Sequence, residues 1–329
     1  MNEMDAMLVS VVIPCFNVRS YIGKALESLL AQSHERWEAI VVDDGSTDGT
    51  EGVVAACTDP RIRPVRQANQ GVSAARNRGI DIASGQALLF LDADDWLAPD
   101  ALVRMIARLE DPWLEDPRLE DQSPAIAAYG PFCFVTEDGS RTVRTKTGPF
   151  PQGHIIERLL VENFFANGGH MLIRASAIAA VGKFRDDLCF GEDWEYWCRL
   201  ALHGTIAVVP GDAPLLFVRQ RSTGAYLRMA TDPDAFGPCT RAIFENPGLI
   251  RQVAPARLVR LRAATEAETG WIVGRELLRH GRAAPGLGWL RRSFRRRPSP
   301  KRAVLLVLAH LLPVMPLRLN GPFRRYGLS

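Results

Sequence analysis

Three acidic groups have the composition and spacing to do chemistry. Asp92-Ala93-Asp94-Asp95 follows a purely apolar run, Ala87-Leu88-Leu89-Phe90-Leu91. Paired aspartates offer only hard oxygen donors, which suit Mg2+ or Mn2+ held by one or two carboxylates together with phosphate oxygens of a substrate. Such an ion would neutralise charge growing on a phosphate leaving group. Asp43-Asp44-Gly45-Ser46 follows a second apolar run, where a carboxylate can accept from a base N–H or a ribose hydroxyl, or cap the next helix. Glu192-Asp193 opens a segment with Trp194, Tyr196 and Trp197. A carboxylate there can act as general base toward a hydroxyl, worth roughly 10²–10⁴-fold. It can equally be favoured by a helix dipole. The aromatics suit stacking on sugar faces or packing in a core. Arg76 precedes the Asp92 run, within reach of phosphate or of the aspartates.

Other chemistries lack their residues. There is no HExxH, GxGxxG, Walker loop or GxSxG elbow. The six cysteines are scattered without CxxC spacing, as expected of reduced thiols. Met1–Met7 carries Glu3 and Asp5 and no basic stretch, so no secretory signal is expected and the location reads as cytoplasmic.

The elements that must position these acids alternate in period. Val9–Ile13 is a β-branched run stopped by Pro14. From Ser20, read as an N-cap, Ile22, Ala25, Leu26, Leu29 and Leu30 form one helical face. Ala39–Val42 is a strand, Thr50–Ala56 a short helix, Arg61–Val65 a strand, Val72–Ala83 a helix and Ala87–Leu91 a buried strand. A helix is expected to start near Pro99. Apolar strands alternating with helices predict a mainly parallel sheet flanked by helices. Ligands bind such sheets beyond the carboxyl ends of the strands, where Asn17, Asp43/Asp44 and Asp92/Asp94 fall. Further on, Ala125–Val135 reads as one strand, Glu137-Asp138-Gly139 as a hairpin turn, His154–Glu162 as helix, His170–Ile173 as strand and Gly191–Leu202 as helix.

Two segments stand apart. Residues 109–121 repeat Leu-Glu-Asp with a period of five, broken by Pro112 and Pro117, and read as a solvated acidic loop. Residues 251–329 hold 17 of the 40 basic and only 3 of the 37 acidic residues, which leaves 23 basic against 34 acidic in the rest. Trp289–Arg297 interleaves aromatic and basic groups ahead of the apolar run Ala303–Leu317. That run is short of the roughly 20 residues a bilayer span needs. An interfacial helix on an anionic membrane fits its composition, and no nucleic-acid recognition module is visible. The expected divisions are 1–112, 113–235 and 236–329, the last a basic helical tail.

Taken in order, these stretches resemble the family 2 glycosyltransferases of the GT-A fold. The matching residues are Val11–Asn17, Val41–Thr50, Asn69–Asn77, Leu89–Asp95, Val181–Phe184, Gly191–Trp194 and Arg199. The resemblance implies an α/β GT-A domain, with 1–112 as its nucleotide-sugar-binding half and 113–235 as its acceptor-binding half. It implies transfer with inversion from a nucleotide-diphosphate sugar, UDP-sugar by default, to a glycan, polysaccharide or lipid-linked hydroxyl. It implies that Asp43 or Asp44, with Pro14, Phe16 and Asn17, binds base and ribose. Asp92-Ala93-Asp94 would be the DxD motif, with Asp94 the direct ligand of Mg2+ or Mn2+. Asp193 would be the base, with Glu192 the alternative. Val218–Ser222 resembles a loop over the diphosphate; it has no histidine, so Arg219 or Arg221 would meet phosphate charge instead. A non-catalytic sugar-nucleotide-binding or scaffolding protein is the competing reading, although it would be expected to have lost Asp94 or the Glu192/Asp193 pair.

Overall fold

The structure is a computed structural model that describes residues 7–111, 124–221 and 232–311. The chain divides into two compact units, Met1–Leu159 with Asn163–Ser222, and Leu160–Glu162 with Thr223–Ser329. The first unit therefore contains both the expected donor half and most of the expected acceptor half.

The first unit is built on strands whose apolar runs are buried on both faces. Val9–Cys15 (β1) and Trp37–Asp43 (β2) are buried throughout, as is Ala87–Phe90 (β4). Between them come Ile22–Leu30 (α1), Thr50–Ala55 (α2), Ile62–Arg66 (β3) and Val72–Ile82 (α3). Helix α1 buries Ile22, Ala25, Leu26 and Leu29, the face its periodicity predicts. Its N-cap is Tyr21 rather than Ser20, and no side chain caps it. Helix α3 lies so close to β1 that a Cβ on Gly79 would come within 2.2 Å of Val12 Cγ1. Trp96–Leu97 (β5) and Ala101–Leu109 (α4) follow, with Asp100 rather than Pro99 at the helix boundary.

The main sheet has seven strands in the order β10-β6-β9-β4-β1-β2-β3. Here β6 is Ala127–Tyr129, β9 Met171–Arg174 and β10 Ile206–Val208. All pairs are parallel except those of β9, which runs antiparallel to both β4 and β6. The run expected as one strand over 125–135 is two. It breaks at Gly130-Pro131, because Pro131 has no N–H for a ladder, and Phe132–Val135 (β7) enters a second sheet. That sheet has the order β5-β11-β7-β8, with Thr142–Lys146 (β8) returning from the hairpin at Glu137-Asp138-Gly139 and Leu216–Arg219 (β11) pairing with β5 and β7. The expected loop at 218–222 thus begins as strand.

Ile156–Val161 (α5), Ala175–Val181 (α6) and Glu192–Leu200 (α7) complete the helices through residue 221. Of the acidic repeat, Leu109 ends α4 and Glu110 pairs with Arg174; residues 112–121 lie outside the described residues. The second unit is helical: Phe236–Phe244 (α8), Pro247–Gln252 (α9), Pro255–Arg279 (α10), Ala283–Arg296 (α11) and Pro300–Leu311 (α12). Helices α10 and α11 meet at glycines, where a Cβ on Gly274 would reach 2.8 Å from Leu290 Cγ. Glu266 and Glu268 of α10 take Arg296, Arg297 and Arg302. Among the described residues no helix is long and apolar enough to cross a membrane.

Candidate active site

The carboxyl ends of β1, β2 and β4 bring the three predicted strand-end groups to one edge of the sheet. Pro14, expected to stop the first strand, instead lies buried within β1 opposite Val42, and the strand runs on to Cys15; after it Phe16 is 48% exposed and Asn17 takes a left-handed φ of 52°. Asparagine tolerates that conformation. Asn17 ties the β1 end to the β2 end: its N–H donates to Ser46 Oγ, and its Oδ1 accepts from Thr47 N–H at 2.9 Å. Cys15 is buried beside Asp43 and Asp44; burial, then their charges, pushes its thiol up to about 12, so it remains a protonated packing group.

The two aspartates after β2 separate in role. Asp44 is 2% exposed and accepts from Gln67 Nε2 at 2.8 Å, Gln70 N–H at 2.9 Å and Gly71 N–H at 2.8 Å. It thereby satisfies donors at the start of α3. Asp43 accepts from Ser46 N–H through Oδ1, while its buried Oδ2 has no hydrogen-bond partner among the described residues; Arg66 Nη1 stands 3.9 Å away. Asp43 is thus the member of the pair with capacity left for a ligand.

Arg76 organises the centre. Although 5% exposed, its guanidinium donates to Asp92 Oδ1 and to Glu192 Oε1, each at 3.1 Å, and lies 5.3 Å from the Phe184 ring centroid. Burial opposes its charge, but Asp92, Glu192 and Asp193 outweigh that and hold it firmly protonated. Of the two partners expected for Arg76, the aspartate side is the one observed. Its neighbour Asn77 clamps the Phe184 backbone in both directions, donating to Phe184 O at 2.9 Å and accepting from Phe184 N–H at 2.8 Å. Phe184 in turn stacks on Tyr196, with centroids 3.8 Å apart.

Helix α7 begins after Gly191, whose φ is 75°. Glu192 is committed to Arg76. Asp193 is half-buried and accepts only from the adjacent Trp194 N–H, at 2.6 Å, among the described residues. Burial and the neighbouring Glu192 charge raise its carboxyl to about 7, against a smaller lowering by Arg76. Trp194, Tyr196 and Trp197 are 4%, 0% and 1% exposed, so all three pack in the core and none is available to stack on a sugar.

After β4, Ala93 is buried and the acids around it are neutralised from two sides. Asp92 meets Arg76, and Asp94 Oδ2 meets Arg221 Nη1 at 3.1 Å. Burial, then the charge of Asp92, raises the Asp94 carboxyl above its ordinary value despite Arg221. Asp95, whose part was not foreseen, is 3% exposed; it accepts from Asn167 Nδ2 at 2.6 Å and from Arg219 N–H at 2.8 Å. Burial, then the charges of Asp94 and Asp92, pushes its carboxyl well up. Arg219 donates to Asp94 O and Glu137 O. Both arginines expected to meet phosphate are therefore drawn to the Asp94 segment.

Among the described residues, no three His, Cys, Asp or Glu side chains gather into a cage for a metal ion. Asp92 and Asp94 offer two carboxylates as hard oxygen donors at the end of β4. That number fits Mg2+ or Mn2+ shared with a substrate diphosphate better than a cage made wholly of protein.

Known proteins share this sequence and fold. The description "Glycosyl transferase family 2" matches residues 10–116, from β1 past α4. The chain carries a family 2 glycosyltransferase domain. An uncharacterized glycosyltransferase of Nostoc sp. is 41% identical over 103 residues, 30% of this chain and 32% of that protein. The putative teichuronic acid biosynthesis glycosyltransferase TuaG of Bacillus subtilis is 42% identical over 102 residues, covering 30% of this chain and 40% of TuaG. The matched stretch thus spans about a third of the length of such relatives. In fold, the S. aureus TarS structure (residues 1–349) aligns with a TM-score of 0.60 at 19% identity, over 94% of this chain and 87% of that one. The mannosyltransferase PcManGT of Pyrobaculum calidifontis, solved with GDP-Man and Mn2+, aligns with a TM-score of 0.57 at 21% identity, over 94% and 81%. These likenesses establish the GT-A fold. The family 2 match ends at 116, so Glu192 and Asp193 lie beyond it.

Proposed function

We propose that this chain is an inverting glycosyltransferase that moves a sugar from a nucleoside-diphosphate sugar, a UDP-sugar by default, to a hydroxyl of a glycan, polysaccharide or lipid-linked acceptor. The observation that carries the reading is Asp193: a half-buried carboxyl raised to about 7, next to a Glu192 already held by Arg76. A general base works best with a pKa near the working pH. Glu192, occupied by a guanidinium, serves as its electrostatic neighbour.

In this reading the acceptor hydroxyl attacks the anomeric carbon while its proton passes to Asp193. The bond from that carbon to the diphosphate oxygen breaks on the opposite face, inverting the configuration. Asp43, through its open Oδ2, would receive a base or ribose group, with Asn17, Pro14 and the exposed Phe16 ring forming the wall around it. Asp94 and Asp92 would hold Mg2+ or Mn2+, whose chemistry is to neutralise the departing diphosphate. The test is transfer or hydrolysis from a panel of UDP-, GDP- and dTDP-sugars with Mn2+. Asp94→Ala and Asp193→Asn should each lose activity by at least about 10²-fold; full activity in both would overturn the assignments.

The same reading puts the second unit against an anionic membrane from the cytoplasmic side. Its support is that Val304, Val307 and Leu308 on one face of α12 are 59%, 61% and 42% exposed, and that no acidic residue follows Glu276 in the sequence. Val304→Asp with Val307→Asp in the full chain should abolish co-sedimentation with phosphatidylglycerol vesicles; equal pelleting of both proteins would dismiss the contact.

A further inference from the structure

We propose that Arg221 is a built-in counter-ion for Asp94, one that competes with the divalent cation for this carboxylate and turns to the donor's diphosphate once the cation has taken its place. The inference rests on the proposed donor site and goes beyond it, because it assigns an exchange between two cations at one oxygen atom.

The two arginines that end β11 and follow it are held very differently. Arg219 is fixed: its N–H donates to Asp95, its Nε to Asp94 O at 2.9 Å and its Nη1 to Glu137 O, and its guanidinium lies 5.0 Å from both the Tyr21 and Trp96 rings. Among the described residues Arg221 has one ion pair, Nη1 to Asp94 Oδ2 at 3.1 Å, and lies 4.8 Å from the Tyr21 ring. Its Nε is buried with no hydrogen-bond partner among the described residues. A guanidinium carries five donors in a fixed fork, suited to bidentate capture of phosphate. Arg221 thus reaches Asp94 with most of that capacity unused.

Asp94 also needs a positive partner. Asp92, two residues earlier, brings a like charge to the same turn, and Arg221 Nη1 at 3.1 Å is the cation that offsets it. Arg76 cannot serve, being committed to Asp92 and Glu192. Arg221 fills the position while the donor is absent. A divalent cation arriving with a diphosphate displaces it from Oδ2, and the released fork then faces the phosphate oxygens that came with the cation. The swap keeps Asp94 paired at every stage and makes tight cation binding depend on the nucleotide.

The experiment measures Mn2+ binding by electron paramagnetic resonance, without donor, acceptor or turnover, in the full chain and in Arg221→Gln. The variant should bind free Mn2+ roughly tenfold more tightly, the fold-change equivalent of losing one competing charge-assisted hydrogen bond. Adding UDP should tighten Mn2+ binding more in the wild-type chain than in the variant. Arg221→Lys, which keeps the charge, should stay close to wild type, and Arg221→Met, which removes the charge but keeps the apolar stem, carries the test if Arg221→Gln does not fold. Mn2+ affinity in Arg221→Gln no higher than in wild type would overturn the proposal. So would equal tightening in the Lys and Gln variants, or no Mn2+ binding by either protein. Failure of the glycosyltransferase reading shows separately, as unchanged activity in Asp193→Asn.

Discussion

Replacing Arg76 with methionine removes a charge while keeping most of the apolar stem that lies beside Phe184. The guanidinium makes two charge-assisted hydrogen bonds of 3.1 Å, to Asp92 and Glu192, from a side chain only 6% exposed. Such bonds contribute about 1.5–3 kcal/mol each, and removing one partner of a buried ion pair costs about 3–5 kcal/mol. Asp92 is 32% exposed and Glu192 16%, so solvent can take over part of the first bond and less of the second. A loss of about 3–4 kcal/mol follows, a large part of the 5–15 kcal/mol typical of a domain. Arg76 also holds Asp193 down, so its removal should move that carboxyl further above 7. Urea unfolding followed by tryptophan fluorescence reads the first effect, and the ascending limb of kcat/KM against pH reads the second. Arg76→Lys, with a single point charge that serves one acid at a time, should fall between. An Arg76→Met chain with the wild-type unfolding midpoint and an ascending limb still near 7 would refute the bridging role.

Three further outcomes follow from the structure. Asp193 must be ionised to accept a proton, so wild-type kcat/KM should rise with pH through a midpoint near 7; a flat profile from pH 5 to 9 would remove Asp193 as base. The same raised value means that the folded chain keeps a proton the unfolded chain releases from its ordinary 3.8 upward, so this group's contribution to stability declines as pH rises from about 4 to 7; Asp193→Asn should abolish that part of the decline in pH-dependent urea unfolding. Gly79→Ala would force a methyl to 2.2 Å from Val12 Cγ1 and should cost about 1–3 kcal/mol by pushing α3 off β1. A thermal midpoint equal to wild type would show that the contact gives way freely.

The donor side was legible because its signals are local. A β-branched run ending in acids announces both a buried strand and the chemistry at its tip, and β1, β2 and β4 lie where those runs were read. The difference between Asp43 and Asp44 was not legible, since it depends on Gln67, Gln70 and Gly71, more than twenty residues away, closing on one carboxylate. Asp95 depends in the same way on Asn167 and Arg219. Aromatic residues beside an acid looked equally fit for sugar or for core, and only tertiary packing against Phe90 and Phe184 decided for the core. The split at Gly130-Pro131 did have a sequence signal, because a proline inside an apolar run already argues against one continuous strand. The preference for Asp193 over Glu192 came from the resemblance; that Arg76 occupies Glu192, from more than a hundred positions away, no spacing reveals.

The reversed strand β9 bears on how the polypeptide emerges from the ribosome. Strands β1 to β4 are complete by Phe90, yet the strand that covers the free edge of β4 starts only at Met171. Until then a nascent chain presents β4, a fully apolar strand, with its backbone groups unpaired on one side, an invitation to pairing with another chain. Asn167, which reaches Asp95, is made just before that strand, and Arg219, which closes over the same acid, is made later still. A fragment cut at residue 116, where the family 2 match stops, would therefore be left with a sticky border and an unfinished acidic cluster. A piece that completes this border and the Asp95 cluster extends through β11, so the acidic edge is finished late in the synthesis of that unit.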